Sequence, residues 1–98
     1  LLNLPEYQFS IRQSSTSKEI FDAFRKKYVT LTPEEWVRQN FIRFLVEEKR
    51  FPASLIAVEK GLTINGKSRR FDAVAYNNNG EPLMLIEFKA ATVKISRK

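Results

Sequence analysis

Residues 69–89 read RRFDAVAYNNNGEPLMLIEFK, and this stretch decides the fold. Residues 69–76 predict one strand and residues 77–80 a turn. Residues 82–89 form a nearly continuous apolar run, as a well-covered central strand does. With Asn79-Gly80 as a two-residue turn, Asn78 faces Glu81, Tyr76 faces Leu83, Val74 faces Leu85 and Asp72 faces Glu87. Glu87 and Lys89 are two apart on one strand and share a face. This register gathers Asp72, Glu87 and Lys89. A slip of two residues keeps them on one side; a slip of one parts them.

Two carboxylates facing each other in an apolar strand pair are poor fold stabilisers. Opposed like charges destabilise a sheet, and burial adds a desolvation cost. A hard divalent cation relieves both, because Mg²⁺ (or Mn²⁺ in its place) prefers carboxylate oxygens and shares its shell with water and phosphate. Asp72 and Glu87 are therefore the expected metal ligands. Lys89 is suited to orient or deprotonate an attacking water, or to steady charge on the phosphate. The blander reading makes Glu87 an ion-pair partner of Lys89 or Arg70, since a D…ExK pattern is short and arises by chance. The run LMLIEFKA, where surface charges are unexpected, favours chemistry.

Upstream, residues 55–64 predict another strand, ended by the tight-turn signal Asn65-Gly66. Thr32 is a good helix N-cap, Pro33 suits the first helical position, and Glu35 completes a capping-box pattern with Thr32. Val37, Phe41, Phe44 and Leu45 then form one apolar stripe, and the helix is expected to stop near Lys49, before Pro52. Glu34 falls near the packing face and is a fourth candidate for the site, or else a first-turn acid favoured by the helix dipole. Arg38, four residues on, is placed to pair with Glu34 or to touch a phosphate.

The expected fold is thus α/β of the α+β kind: a three-stranded antiparallel meander with one helix packed on it. Before the helix, Tyr7, Phe9 and Ile11 alternate with polar residues as in a half-buried strand. Residues 13–18 read as a loop, and residues 19–31 as an irregular or short extended lead-in. From Ala90 a helix or loop is expected.

Composition narrows the chemistry. The 98 residues suit a single domain spanning 1–98. No Cys and no His excludes disulfides, thiolate metal sites, most zinc sites and histidine catalysis, leaving carboxylates, lysine and a hard metal. Lys and Arg total 17 against 11 acids, a net charge of +6 that favours a polyanionic partner. Lys67, Arg69 and Arg70 flank Asp72 and are the expected grip on a nucleic-acid backbone, with further clusters at residues 25–27 and 94–98. No apolar run approaches the roughly 20 residues that span a bilayer, and no signal-peptide pattern opens the chain, so the expectation is a cytoplasmic protein without a membrane partner. The chain opens Leu-Leu rather than Met, as a trimmed piece of something longer would.

Residues 24–91 resemble the N-terminal nuclease domain of the R subunit of type I restriction enzymes, in a short branch lacking the helicase motor. LTPEEWVRQ and the RFD…IEFKA pair carry the resemblance. It implies a restriction-endonuclease-like core of the PD-(D/E)xK kind, with Asp72, Glu87 and Lys89 in the motif positions. The first-helix acid then falls on Glu34, or less well on Glu35. It also implies Mg²⁺-dependent cleavage of double-stranded DNA, with other restriction-modification subunits or a second copy as partners. Two departures stand out. No Walker motif is present, and the sequence stops just after the ExK strand, where such cores continue with a helix, usually carrying Gln, and a further strand. The expected core therefore lacks its C-terminal part.

Three functions compete on these grounds. The first is a Mg²⁺-dependent DNA endonuclease domain. The second is a nucleic-acid-binding module on the same scaffold with little activity alone. The third is an interaction domain whose basic surface docks on an acidic protein.

Overall fold

A computed structural model describes residues 6–89 and 92–97, with the backbone alone at residues 89, 92–94 and 97. The described residues form a mixed α/β fold of two antiparallel sheets and one helix. β1 (Ile11–Gln13), β2 (Lys18–Asp22) and β3 (Lys27–Thr30) make a three-stranded meander. The helix α1 (Pro33–Glu47) follows. β4 (Ile56–Ile64), β5 (Lys67–Tyr76), β6 (Pro82–Lys89) and β7 (Thr92–Arg97) then make a four-stranded meander in chain order.

The helix begins where local chemistry places it. Thr32 accepts a hydrogen bond from the Glu35 amide at 3.0 Å, and Pro33 opens the helix. Phe41, Ile42 and Leu45 are buried on the helix face that meets Ile56, Ala73, Ala75, Met84, Ile86 and Phe88. Val37 and Phe44 flank this core. The helix ends at Glu47, two residues before the expected point, and Arg50 then takes a left-handed conformation.

Three expectations are corrected. Residues 19–31, expected as an irregular or short extended lead-in, are extended but form a hairpin of β2, a tight turn and β3 rather than a lead-in. Asp22 Oδ1 closes the turn by accepting the amides of Phe24 (2.8 Å) and Arg25 (3.2 Å), a local side-chain device without periodicity. The alternating residues before the helix contribute only Ile11–Gln13 to a strand. From Thr92 the chain forms not a helix but β7, paired with β6 from Met84↔Arg97 to Lys89↔Thr92; residues 90–91, where the helix or loop was expected to begin, lie outside the described residues. β7 thus lies directly on the strand that carries Glu87 and Lys89.

The β5–β6 register matches the expected Val74↔Leu85, with Ala73↔Ile86 and Ala75↔Met84 beside it. The turn differs. Asn77 Oδ1 accepts the amides of Asn79 (2.9 Å) and Glu81 (3.0 Å), closing a wider loop in which Tyr76 meets Pro82, not Leu83. A bulge at Ala75/Tyr76 absorbs the difference.

β4, at the sheet edge, and its neighbour β5 both switch face partway along. Ile56, Val58, Ala73 and Ala75 pack on the helix side. Leu62, Ile64 and Phe71 pack on the far side with Val74 and Leu85. The switch falls at Glu59 and Asp72, which are left out between the paired rungs Val58↔Ala73 and Lys60↔Phe71. Glu59 has φ +50°, the left-handed backbone that lets a strand bulge and turn its face.

Candidate active site

Asp72 stands at that switch, half-buried, and its Oδ2 accepts the backbone amide of Phe88 at 2.7 Å. A side chain takes the place of a β5 carbonyl here, and regular β5–β6 pairing starts only at Ala73↔Ile86. The same register puts Glu87 across from Asp72. Asp72 lines a cavity of about 310 Å³ together with Glu34, Glu35 and Arg38 of α1, Glu59 of β4 and Phe88 of β6.

The expected site residues fall as follows. Glu34 is exposed and lines the cavity. Glu87 neighbours Asp72 but follows Leu85 on the far face, where Arg69 donates to its Oε2 at 2.6 Å; it is not among the residues lining the cavity. Asp72 and Glu87 therefore meet at one level of the sheet with their carboxylates turned to different partners. Lys89 ends β6, paired with Thr92, and its side chain lies outside the described residues. Among the described residues no three acids stand close enough together to hold a metal ion. The oxygen-only donors suit a hard cation in kind, and Asp72 and Glu87 supply two of them.

Glu35 and Arg38 depart from expectation. Glu35 uses only its amide in the cap. Its carboxylate is buried and accepts from Arg25 (2.9 Å), Gln39 (2.8 Å) and Arg38. Arg38 is 6% exposed and is committed to Glu35 and, at 3.7 Å, to Glu59, so it neither pairs with Glu34 nor reaches solvent for a phosphate. The cause is a guanidinium from outside the helix. Arg25, in the β2–β3 turn, binds Asp22, Glu35 and Glu59 together and draws Glu35 inward. Burial lowers the Arg25 pKa, but hydrogen bonds to Asp22 and Glu35 outweigh it and the net direction is upward. Arg25 is thus no part of a free basic cluster.

Glu59 was not legible as a site residue. It faces Arg25 at 3.1 Å, Arg38 at 3.7 Å and Arg70 at 3.8 Å. Ile56, Val58, Leu62 and Ile64 keep one parity through it, so nothing in the pattern marks the bulge. Lys67 and Arg69 pair with Ile64 and Leu62 and share their far face, whereas Arg70 pairs with Gly61 on the opposite face, beside Glu59.

A helix packed on an antiparallel sheet, with acidic side chains collected where two strands lose their pairing, defines a small mixed α/β domain with an acidic cleft. Its family follows from comparison. Residues 33–98 match the family described as the type I restriction enzyme R protein N terminus, and the chain belongs to that family. The match runs from the first residue of α1 through β7, leaving β1–β3 outside it. No curated protein and no solved structure is significantly similar to the chain. No helix among the described residues is long and apolar enough to cross a membrane.

Proposed function

We propose that this chain is the DNA-cutting domain of a restriction system, a Mg²⁺-dependent endonuclease with a restriction-endonuclease-like core. Family membership supports the system. The observation that carries the chemistry is Asp72 at the break in β5–β6 pairing, level with Glu87 and followed on β6 by Lys89. Asp72 and Glu87 are the residues that would hold Mg²⁺, with Mn²⁺ a substitute. When bound, such an ion acidifies water and offsets charge on a phosphodiester.

The chain's own groups do the rest. The Phe88 amide fixes Asp72, so its carboxylate pays little reorganisation on meeting a charged ligand. Arg69 holds and orients the Glu87 carboxylate through its Oε2. Lys89 is the residue for orienting or activating water. Glu34 stands at the cavity wall, able to complete the ligand set from the helix. Of Lys67, Arg69 and Arg70, Arg70 is the grip on the nucleic-acid backbone, with Lys67 near the hairpin tip adding charge, while Arg69 is engaged by Glu87 on the far face; Arg38 positions the acids rather than the substrate. DNA, partner subunits of the system or a second copy are the expected partners, and the cytoplasm the place of action.

A second reading is favoured by one observation. Among the described residues Glu87 is ion-paired with Arg69 and no three acids stand close enough together to hold a metal ion, which fits a DNA-binding module inactive by itself. Plasmid cleavage in Mg²⁺ on the order of millimolar separates the two. Nicking by the wild type that is lost in both Asp72→Asn and Lys89→Ala supports the nuclease. Metal-independent DNA binding without cleavage supports the module.

A further inference from the structure

The hairpin formed by residues 60–71 carries Lys60, Lys67, Arg69 and Arg70 and no acid. It continues past Ala73, where regular pairing with β6 stops, to the Asn65-Gly66 turn, in which both residues have positive φ. From Asp72 to the tip is about six residues, roughly 20 Å of strand. Cross-strand partners share a face, so its two faces can be separated. Lys60↔Phe71, Leu62↔Arg69 and Ile64↔Lys67 form one, and its apolar members pack on Val74 and Leu85. That face anchors the arm. Gly61↔Arg70 and Thr63↔Ser68 form the other, and all four residues are exposed.

The exposed face is unusual for a strand pair. It has a glycine, two hydroxyls and one arginine, with no aromatic or aliphatic side chain. Gly61 is not demanded by the fold: its φ is not positive, and an added Cβ would meet nothing nearer than the Arg69 carbonyl at 3.9 Å. A strand glycine accompanies a bulge or a place where a ligand or another backbone comes close. Gly61 lies two residues beyond the bulge at Glu59, with its own φ not positive. Arg70 on this face leads to Glu59 and the Asp72 cavity.

We infer that the Gly61/Thr63/Ser68/Arg70 face is a docking surface for the sugar-phosphate backbone of duplex DNA, laid along the arm and running into the Asp72 cleft. The inference rests on the nuclease reading for its substrate and adds the surface that holds it. Gly61 lets a phosphate reach the main chain; Thr63 and Ser68 donate hydroxyls, and Arg70 supplies a charge. Lys60 and Lys67 add field from the edges of a ribbon only two strands wide. The absence of aromatics on the face opposes single-strand binding, which depends on base stacking. The arm's roughly 20 Å equals the axial rise of about six base pairs of duplex at ~3.4 Å each. Contacts of this kind set position without reading sequence.

The test is fluorescence anisotropy of a labelled duplex of about two helical turns, with chelator present so that nothing is cut. Gly61→Val is the informative variant, since a β-branched residue suits an open strand position. It is expected to unfold at the same temperature as wild type or higher, yet to bind duplex about tenfold more weakly. Ser68→Asp should show a similar loss, whereas Asn78→Asp, adding the same charge at the opposite end of the sheet, should bind as wild type does. Unchanged duplex affinity in Gly61→Val, equal losses in Ser68→Asp and Asn78→Asp, or tighter binding to single strands than to duplex would each overturn the proposal. Because no cleavage is measured, an inactive catalytic site leaves these outcomes unaffected. Conversely, loss of this surface leaves Asp72-dependent nicking to be judged separately.

Discussion

Thr32 and Glu35 lie three residues apart and illustrate what a residue's own neighbourhood decides. The Thr32 hydroxyl satisfies one helix-end amide, a bond set by four consecutive residues, and the sequence showed it directly. Thr32→Ala should therefore cost about 1 kcal/mol of stability, measured by urea unfolding with an unchanged denaturant slope. The partner of the Glu35 carboxylate was not legible, because Arg25 stands ten positions upstream in a turn built by Asp22. The same contrast governs the site. Asp72, Glu87 and Lys89 could be set in register from strand period and one turn signal. The amide of Phe88, which captures Asp72, and Arg69, which captures Glu87, depend on where the ladder breaks.

At the scale of elements, the sequence yields β4, β5, β6 and α1 because each carries strong patterning and clear punctuation. It does not yield the face switch in β4 and β5. Both strands keep their apolar parity through Glu59 and Asp72, yet change the side they bury. A single left-handed residue, Glu59, turns β4, and Asp72 opposite is released from pairing to face the cavity. Glu59→Gly removes the side chain that disfavours this backbone, so it should stay within about 1 kcal/mol of wild type despite losing its arginine contacts. Glu59→Val puts a β-branched residue at φ +50° and should lose about 1–3 kcal/mol more. Thermal unfolding of the two variants checks this. Equal stabilities would mean that something other than residue 59 holds the switch.

At the scale of the whole molecule, the two sheets are joined through charge as well as apolar contact. Arg25 reaches from the β2–β3 turn to Glu35 on the helix and Glu59 on β4, with Asp22 closing the group from its own turn. The side chains of Asp22 and Glu35 are 5% and 7% exposed, so neither charge has water to fall back on. Removing one partner of such a group strands the others: Arg25→Met should cost about 3–5 kcal/mol. Removing both ends should cost less than the sum, because Glu35→Gln takes away much of what Arg25→Met leaves uncompensated. The double variant should show a coupling of about 1–3 kcal/mol in a denaturation cycle. A buried network is little screened, so this coupling should persist from low to high salt. DNA binding along the arm should instead weaken steeply over the same range. Strict additivity of the two substitutions would mean that Arg25 and Glu35 do not support one another, and that Arg25 ties β1–β3 to the acids around Asp72 through Glu59 instead.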